Sequence, residues 1–127
     1  MKTNIDKLIM ITVAVSDMPK AKEFYADKLG LKIVTDYRQD DENWWVNVAF
    51  PGGGTTITLA KTNKMKTKPS WLVLYFATPD IAAAHEELKG KGIKVNDIKD
   101  DLYGPGSGVK WFNFEDPDGN LIHYAQS

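Results

Sequence analysis

Side chains able to move protons, attack carbonyls or hold metals are scarce in this chain. It has two histidines, His85 and His123, and no cysteine. Without a thiol there is no cysteine nucleophile, no zinc–thiolate centre and no disulfide framework. Arg38 is the only arginine, so the two-pronged guanidinium clamps that grip carboxylates and phosphates are nearly unavailable. His85 falls in a helical stretch beside Glu86 and Glu87 and is expected to face solvent. His123 falls in a strand near the end of the chain and is the candidate acid or base near neutral pH. No Ser-His-Asp or Cys-His set can be assembled around it. The glycine stretches Pro51–Gly54 and Gly104–Gly108 lack both the GxxxxGK[ST] pattern and a following helix, so they read as turns rather than phosphate loops.

What remains is a set of binding groups, which strand alternation sorts onto one face. Met10, Thr12, Trp45, Asn47, Thr58, Trp71, Tyr75, Trp111, Asn113 and His123 are the candidate ligand-binding residues. They combine aromatic planes, one thioether and a few hydrogen-bonding groups, a lining suited to a mostly apolar or aromatic small molecule. Trp44 should face away from Trp45, because adjacent strand residues point to opposite sides. The other alternation set, from Ile9, Ile11, Val13 and Val15 through Val46, Val48, Ile57 and Leu59 to Phe112, Phe114, Ile122 and Tyr124, should lie under helices. A space-filling role for the tryptophans, with Trp71 plugging the face, is the alternative.

The elements that must position these residues recur. Strand patterns are expected at Leu8–Val15, Leu31–Tyr37, Trp44–Phe50 and Thr55–Ala60, with a helix from Asp17 to Leu29 stopped by Gly30. A lysine-rich linker at 61–69 follows. Then come a strand at Ser70–Ala77, a helix at Pro79–Lys91 stopped by Gly92, and strands at Ile93–Ile98, Val109–Phe114 and Leu121–Ala125. Gly30-Leu31-Lys32-Ile33 can be laid over Gly92-Ile93-Lys94-Val95, and Gly54–Leu59 over Gly119–Tyr124. The reading is one α+β domain over residues 1–127: two tandem βαβββ modules, 8–60 and 70–126, forming a curved mixed sheet around a concave cleft with helices outside.

Composition sets the limits. The chain has 127 residues, 43% of them hydrophobic and 26% charged, which suits a globular domain and excludes disorder as the main state. A net charge of -1 argues against a nucleic-acid partner. No apolar run approaches the roughly 20 residues needed to span a bilayer, and no signal region is visible, so a cytoplasmic protein is expected.

Val15-Ser16-Asp17, Phe24-Tyr25, Leu29-Gly30 and Asp116-Pro117-Asp118-Gly119-Asn120 together resemble the vicinal oxygen chelate superfamily, which includes glyoxalase I, bleomycin-resistance proteins and extradiol dioxygenases. The resemblance spans nearly the whole chain. It implies a divalent metal held by His, Glu or Gln at four strand positions in the metal-dependent members. Carried onto this sequence, those positions are Met10, Thr58, Trp71 and His123, of which only His123 is a strong ligand. The metal-ligand positions are therefore not retained, no cofactor is expected, and metal-dependent glyoxalase or dioxygenase activity is disfavoured. Two functions stay open: a metal-free binder of a small hydrophobic or aromatic molecule, and a cofactor-free lyase- or isomerase-type enzyme using His123 as acid or base. A purely structural dimer is a third possibility. The resemblance also implies a homodimer. Asp36, Asp40, Asp41, Glu42, Asp97, Asp100 and Asp101 could ring a cleft mouth and favour a cation.

Overall fold

The computed structural model describes residues 4–62 and 72–126, which fall into two compact units, one in each half of the chain. Trp71 and most of the expected linker lie outside the described residues.

The first unit runs β1 (Met10–Ala14), α1 (Met18–Lys22), a π-helical segment (Glu23–Lys28), β2 (Lys32–Arg38), β3 (Trp44–Ala49) and β4 (Thr56–Lys61). Asp17 caps α1 by accepting from Lys20 N at 3.0 Å. The expected single α-helix changes pitch at Glu23, and the segment closes with Leu29 N–H donating to Phe24 O at 3.0 Å. Met18, Ala21, Phe24 and Tyr25 are buried along it. Gly30, at φ 81°, releases the chain into β2 in a left-handed conformation that a side chain would oppose. The sheet order is β1-β4-β3-β2, with β1 parallel to β4 and the other pairs antiparallel. Helix α1 packs on β4. Val13, Val46, Val48, Ile57 and Leu59 are buried, each worth about 1.5–3 kcal/mol of transfer free energy.

The second unit runs β5 (Val73–Thr78), α2 (Ile81–Gly90), β6 (Trp111–Glu115) and β7 (Leu121–Gln126). Its order is β5-β7-β6, again with the first strand parallel to the last. Asp80 caps α2 through Ala83 N at 3.0 Å, the counterpart of Asp17. Helix α2 packs on β7. A buried turn starts β7: Asp116 Oδ1 accepts from Asp118 N at 2.9 Å and Asn120 N at 2.8 Å, while Oδ2 accepts from Asn120 Nδ2 at 2.8 Å. This turn fixes the register that carries Ile122 inward and His123 to the other face.

The architecture is α+β with two tandem modules, as the sequence pattern indicates, but several details differ. The expected strand at Ile93–Ile98 does not form. Asn96 inserts its own side chain, Oδ1 accepting from Asn113 N at 2.6 Å where a neighbouring carbonyl would serve, while its backbone N–H donates to Asn113 O at 3.3 Å; just beyond the segment Lys99 forms an isolated bridge with Trp111. The second sheet therefore has three strands. Val109 is diverted into the preceding loop, its carbonyl taking Leu102 N–H at 3.2 Å, and β6 begins at Trp111. Leu8 and Ile9 precede β1, and Ile9, expected under the helix, is 66% exposed. Lys61 belongs to β4 rather than to a linker. His85, expected in solvent, is half-buried: its ring stands edge-on to Phe112 at 5.0 Å, and Nε2 donates to Asn96 O at 2.8 Å.

His123 is 9% exposed, and its Nδ1 is the one buried side-chain polar atom without a hydrogen-bond partner among the described residues. Burial holds its pKa below the usual imidazole value of 6.5. The unfolded chain then binds the proton more readily than the folded one. Stability should be level above about pH 7 and fall as pH drops below 6.5 toward the folded-state value. Urea unfolding across pH 4.5–8 (roughly the imidazole window) should show this slope, and His123→Gln should remove much of it while lowering the plateau. An equal slope in the variant would assign the acid sensitivity to other groups.

Candidate functional site

In each unit the face opposite the helix carries two rows of side chains fixed by strand register. In the first unit one row is Thr12, Thr58 and Asn47, and the next is Ala14, Ala60 and Trp45. In the second unit the matching rows are Tyr75, His123 and Asn113, then Ala77, Ala125 and Trp111. The duplication thus reaches the candidate site: Trp45-Val46-Asn47 and Trp111-Phe112-Asn113 occupy equivalent places. This repeat is visible in the sequence and makes the two faces counterparts, each within its own unit.

The first half-site is a hydrogen-bonding pocket. Asn47 Nδ2 donates to Thr56 Oγ1 and Thr58 Oγ1, both at 3.0 Å, and lies 3.5 Å from Met10 Sδ. Thr58 Oγ1 donates to the same sulfur at 2.7 Å. Thioether, two hydroxyls and amide therefore satisfy one another. The indole of Trp45 stacks on Tyr37 of the edge strand, centroids 5.8 Å apart at 20°. A cavity of about 420 Å³ is bounded by these residues with Ile9 and Thr35. The exposed Ile9 thus helps line the pocket rather than the core. Thr12, also exposed, lies beside Thr58.

The second half-site is a column of rings. Trp111 stacks on His123 at 5.0 Å and 18°, and Tyr75 leans on His123 at 4.6 Å and 38°. Trp111 Nε1 donates to Asp101 Oδ1 at 2.9 Å, and Lys99 Nζ lies 5.5 Å from the indole centroid. The column positions His123 by contact with flat apolar surfaces and gives Nδ1 no partner among the described residues. Asn113 sits opposite His123 on β6, its backbone tied to Asn96.

Of the ten candidate ligand-binding residues, Met10, Thr12, Trp45, Asn47 and Thr58 thus gather on the first unit. Tyr75, Trp111, Asn113 and His123 gather on the second, and Trp71 lies outside the described residues. Tyr37, Asp101 and Asn96 join them as residues that hydrophobic alternation alone does not single out. Trp44 is on the other face of β3, with Nε1 donating to Asp36 at 2.6 Å and Arg38 centred 4.3 Å from its ring. The Lys22 ammonium and then the Trp44 N–H hold the Asp36 carboxyl below its ordinary range. Four acids suggested for a cleft mouth are engaged locally: Asp36 with Lys22, Asp41 with Arg38, Asp40 in its own turn, and Asp101 with Trp111. Among the described residues no three His, Asp or Glu side chains are placed to hold one metal ion. No helix there is long and apolar enough to cross a membrane.

Comparison with known proteins places this arrangement. TnmS3, described as an antibiotic binding protein from Streptomyces sp. CB03234, superposes with a TM-score of 0.81 at 30% identity, covering 98% of each chain. A superfamily member from Sphaerobacter thermophilus superposes with a TM-score of 0.80 at 26% identity, covering 97% of this chain and 98% of that one. The uncharacterized protein YraH of Bacillus subtilis is 30% identical, the match covering 91% of this chain and 94% of the relative. The model of the Glyoxalase/Bleomycin resistance protein/Dioxygenase superfamily matches residues 7–124, and the chain belongs to that superfamily.

Proposed function

We propose that this chain is a metal-free binding protein for a small, mostly apolar or aromatic molecule, acting in the cytoplasm as a homodimer. The ring column Tyr75–His123–Trp111 carries the reading. Three rings in contact, Trp111 stacked on His123 and Tyr75 tilted against it, with the outer members partly open to solvent, form a surface on which a further flat ring gains about 0.5–1.5 kcal/mol per contact beyond burial. The pocket around Asn47, Thr56 and Thr58 presents amide and hydroxyl groups, already bonded to one another, at a second location. The likeness to an antibiotic binding protein supports capture rather than turnover. At Met10 and Thr58 the described geometry offers a thioether and a hydroxyl already bonded to each other, a poor donor set for a hard divalent ion.

A cofactor-free enzyme is the second reading. It is favoured by the buried Nδ1 of His123, which has no hydrogen-bond partner among the described residues, and by burial that keeps the imidazole neutral at pH 7, ready to accept a proton. One variant separates the two. A bound aromatic compound should quench tryptophan fluorescence, with much of the quench lost in Trp111→Phe. In a binder, His123→Ala should weaken affinity by about 1–3 kcal/mol. Turnover in the wild type that disappears in His123→Ala with binding retained would favour the enzyme.

The dimer is supported by apolar groups outside the pocket lining that one chain leaves in solvent on its first unit, Leu8 and Val34. A permanent interface there would bury about 2,000 Å² or more. Sedimentation equilibrium at micromolar concentration should return twice the chain mass of 14.2 kDa, and a single-chain mass would count against it. Elemental analysis of the same dialysed sample should find no near-equimolar nickel, zinc, manganese or iron. Stoichiometric metal lost on His123→Ala would overturn the metal-free assignment.

A further inference from the structure

The two modules repeat an Ala-Ala-Trp row, and the second copy is the more open: Ala14 of the first is half-buried. In the first unit Ala60 is 1% exposed. In the second, Ala125 is half-buried and Ala77 is exposed, and a cavity of about 430 Å³ stands over the pair. Its lining is Tyr75, Phe76, Ala77, Leu102, Tyr103 and Ala125. Two methyl groups leave the floor low, next to a row built of Tyr75 and His123.

The walls are equally distinctive. Tyr75 has His123 against its ring and is still 62% exposed. Tyr103 is 82% exposed. It is held over the strands by a loop folded on itself: Ser107 Oγ accepts from Tyr103 N at 3.4 Å and from Val109 N at 3.5 Å, Gly104 N–H donates to Asp101 O at 2.9 Å, and Ser107 N–H donates to Gly104 O at 3.1 Å. The same loop grips Trp111 through Asp101. An aromatic side chain so exposed on a braced loop forfeits burial that a ligand could restore. None of the six lining residues bears a formal charge at neutral pH. Placing an ion there would cost desolvation with no counter-charge in the lining.

We propose that this slot in the second module, between Tyr75 and Tyr103 over the Ala77–Ala125 floor, binds an uncharged, flat conjugated ring system, with Tyr103 as its specificity-determining residue. The inference rests on the small-molecule reading above and narrows its ligand class to neutral rings. That differs from the cationic ligand which the acidic loops, taken as sequence, would favour.

The test uses phenazine, a neutral planar tricycle, against its cation N-methylphenazinium, titrated into the full chain and read by tryptophan quenching. Phenazine should bind at one per chain and at least tenfold more tightly than the cation. Ala77→Phe, which fills the slot, and Tyr103→Ala, an exposed loop change that leaves the core untouched, should each weaken phenazine at least tenfold. Phenazine affinity indifferent to both variants would overturn the slot and leave ring binding elsewhere on the chain standing. Preference for the cation would overturn the neutral-ligand assignment. No binding of either probe, with native circular dichroism, would overturn the slot together with the binding function on which it rests.

Discussion

The last strand of each module is hydrogen-bonded on both sides, and the candidate sites depend on that constraint. β4 lies between β1 and β3, and β7 lies between β5 and β6. The first strand joins parallel to the last, so the helix between them must cross the sheet and covers one face. The other face then places the middle strand's side chain between two fixed neighbours. Thr58 meets Thr12 and Asn47, and His123 meets Tyr75 and Asn113. The Asp116 turn secures the arrangement, because a one-residue slip in β7 would exchange His123 with Ile122 between face and core.

From one duplicated frame, two kinds of surface follow. A threonine at the centre lets amide, hydroxyls and sulfur bond together, giving a polar pocket whose groups are mutually satisfied. A histidine at the centre, with tyrosine in place of Thr12, gives a column of contacting rings and a buried nitrogen with no partner among the described residues. Leaving such a nitrogen unsatisfied costs about 1–3 kcal/mol. The column's packing offsets this cost, and a neutral imidazole keeps it smaller than a buried charge would.

Strand alternation placed Val13, Val46, Ile57, Phe112 and Ile122 inward because the helix-covered face follows a strict period of two. It separated Trp44 from Trp45 for the same reason. Asp17, Gly30 and the Asp116–Asn120 turn were legible because each answers a local backbone need. The failures also have physical causes. Ile93–Ile98 has a strand composition, but Asn96 competes for the ladder with its own amide oxygen, a tertiary event that no local pattern encodes. His85 carries acidic neighbours in sequence, yet its helix turns it onto Phe112, where the Asn96 carbonyl awaits. Tyr103 and Asp101 sit in a glycine-rich loop, and alternation says nothing about where a loop folds back.

The central claim is that the ring-bearing face of the second module receives a flat molecule. The most direct measurement is a nitrogen–proton NMR titration of the indole N–H groups with phenazine. The Trp111 indole, held by Asp101 beside the slot, should shift progressively and saturate, while the Trp44 indole, bonded to Asp36 on the opposite face of β3, should stay in place. A Trp111 resonance that does not move at saturating probe, or movement confined to Trp44, would contradict the account.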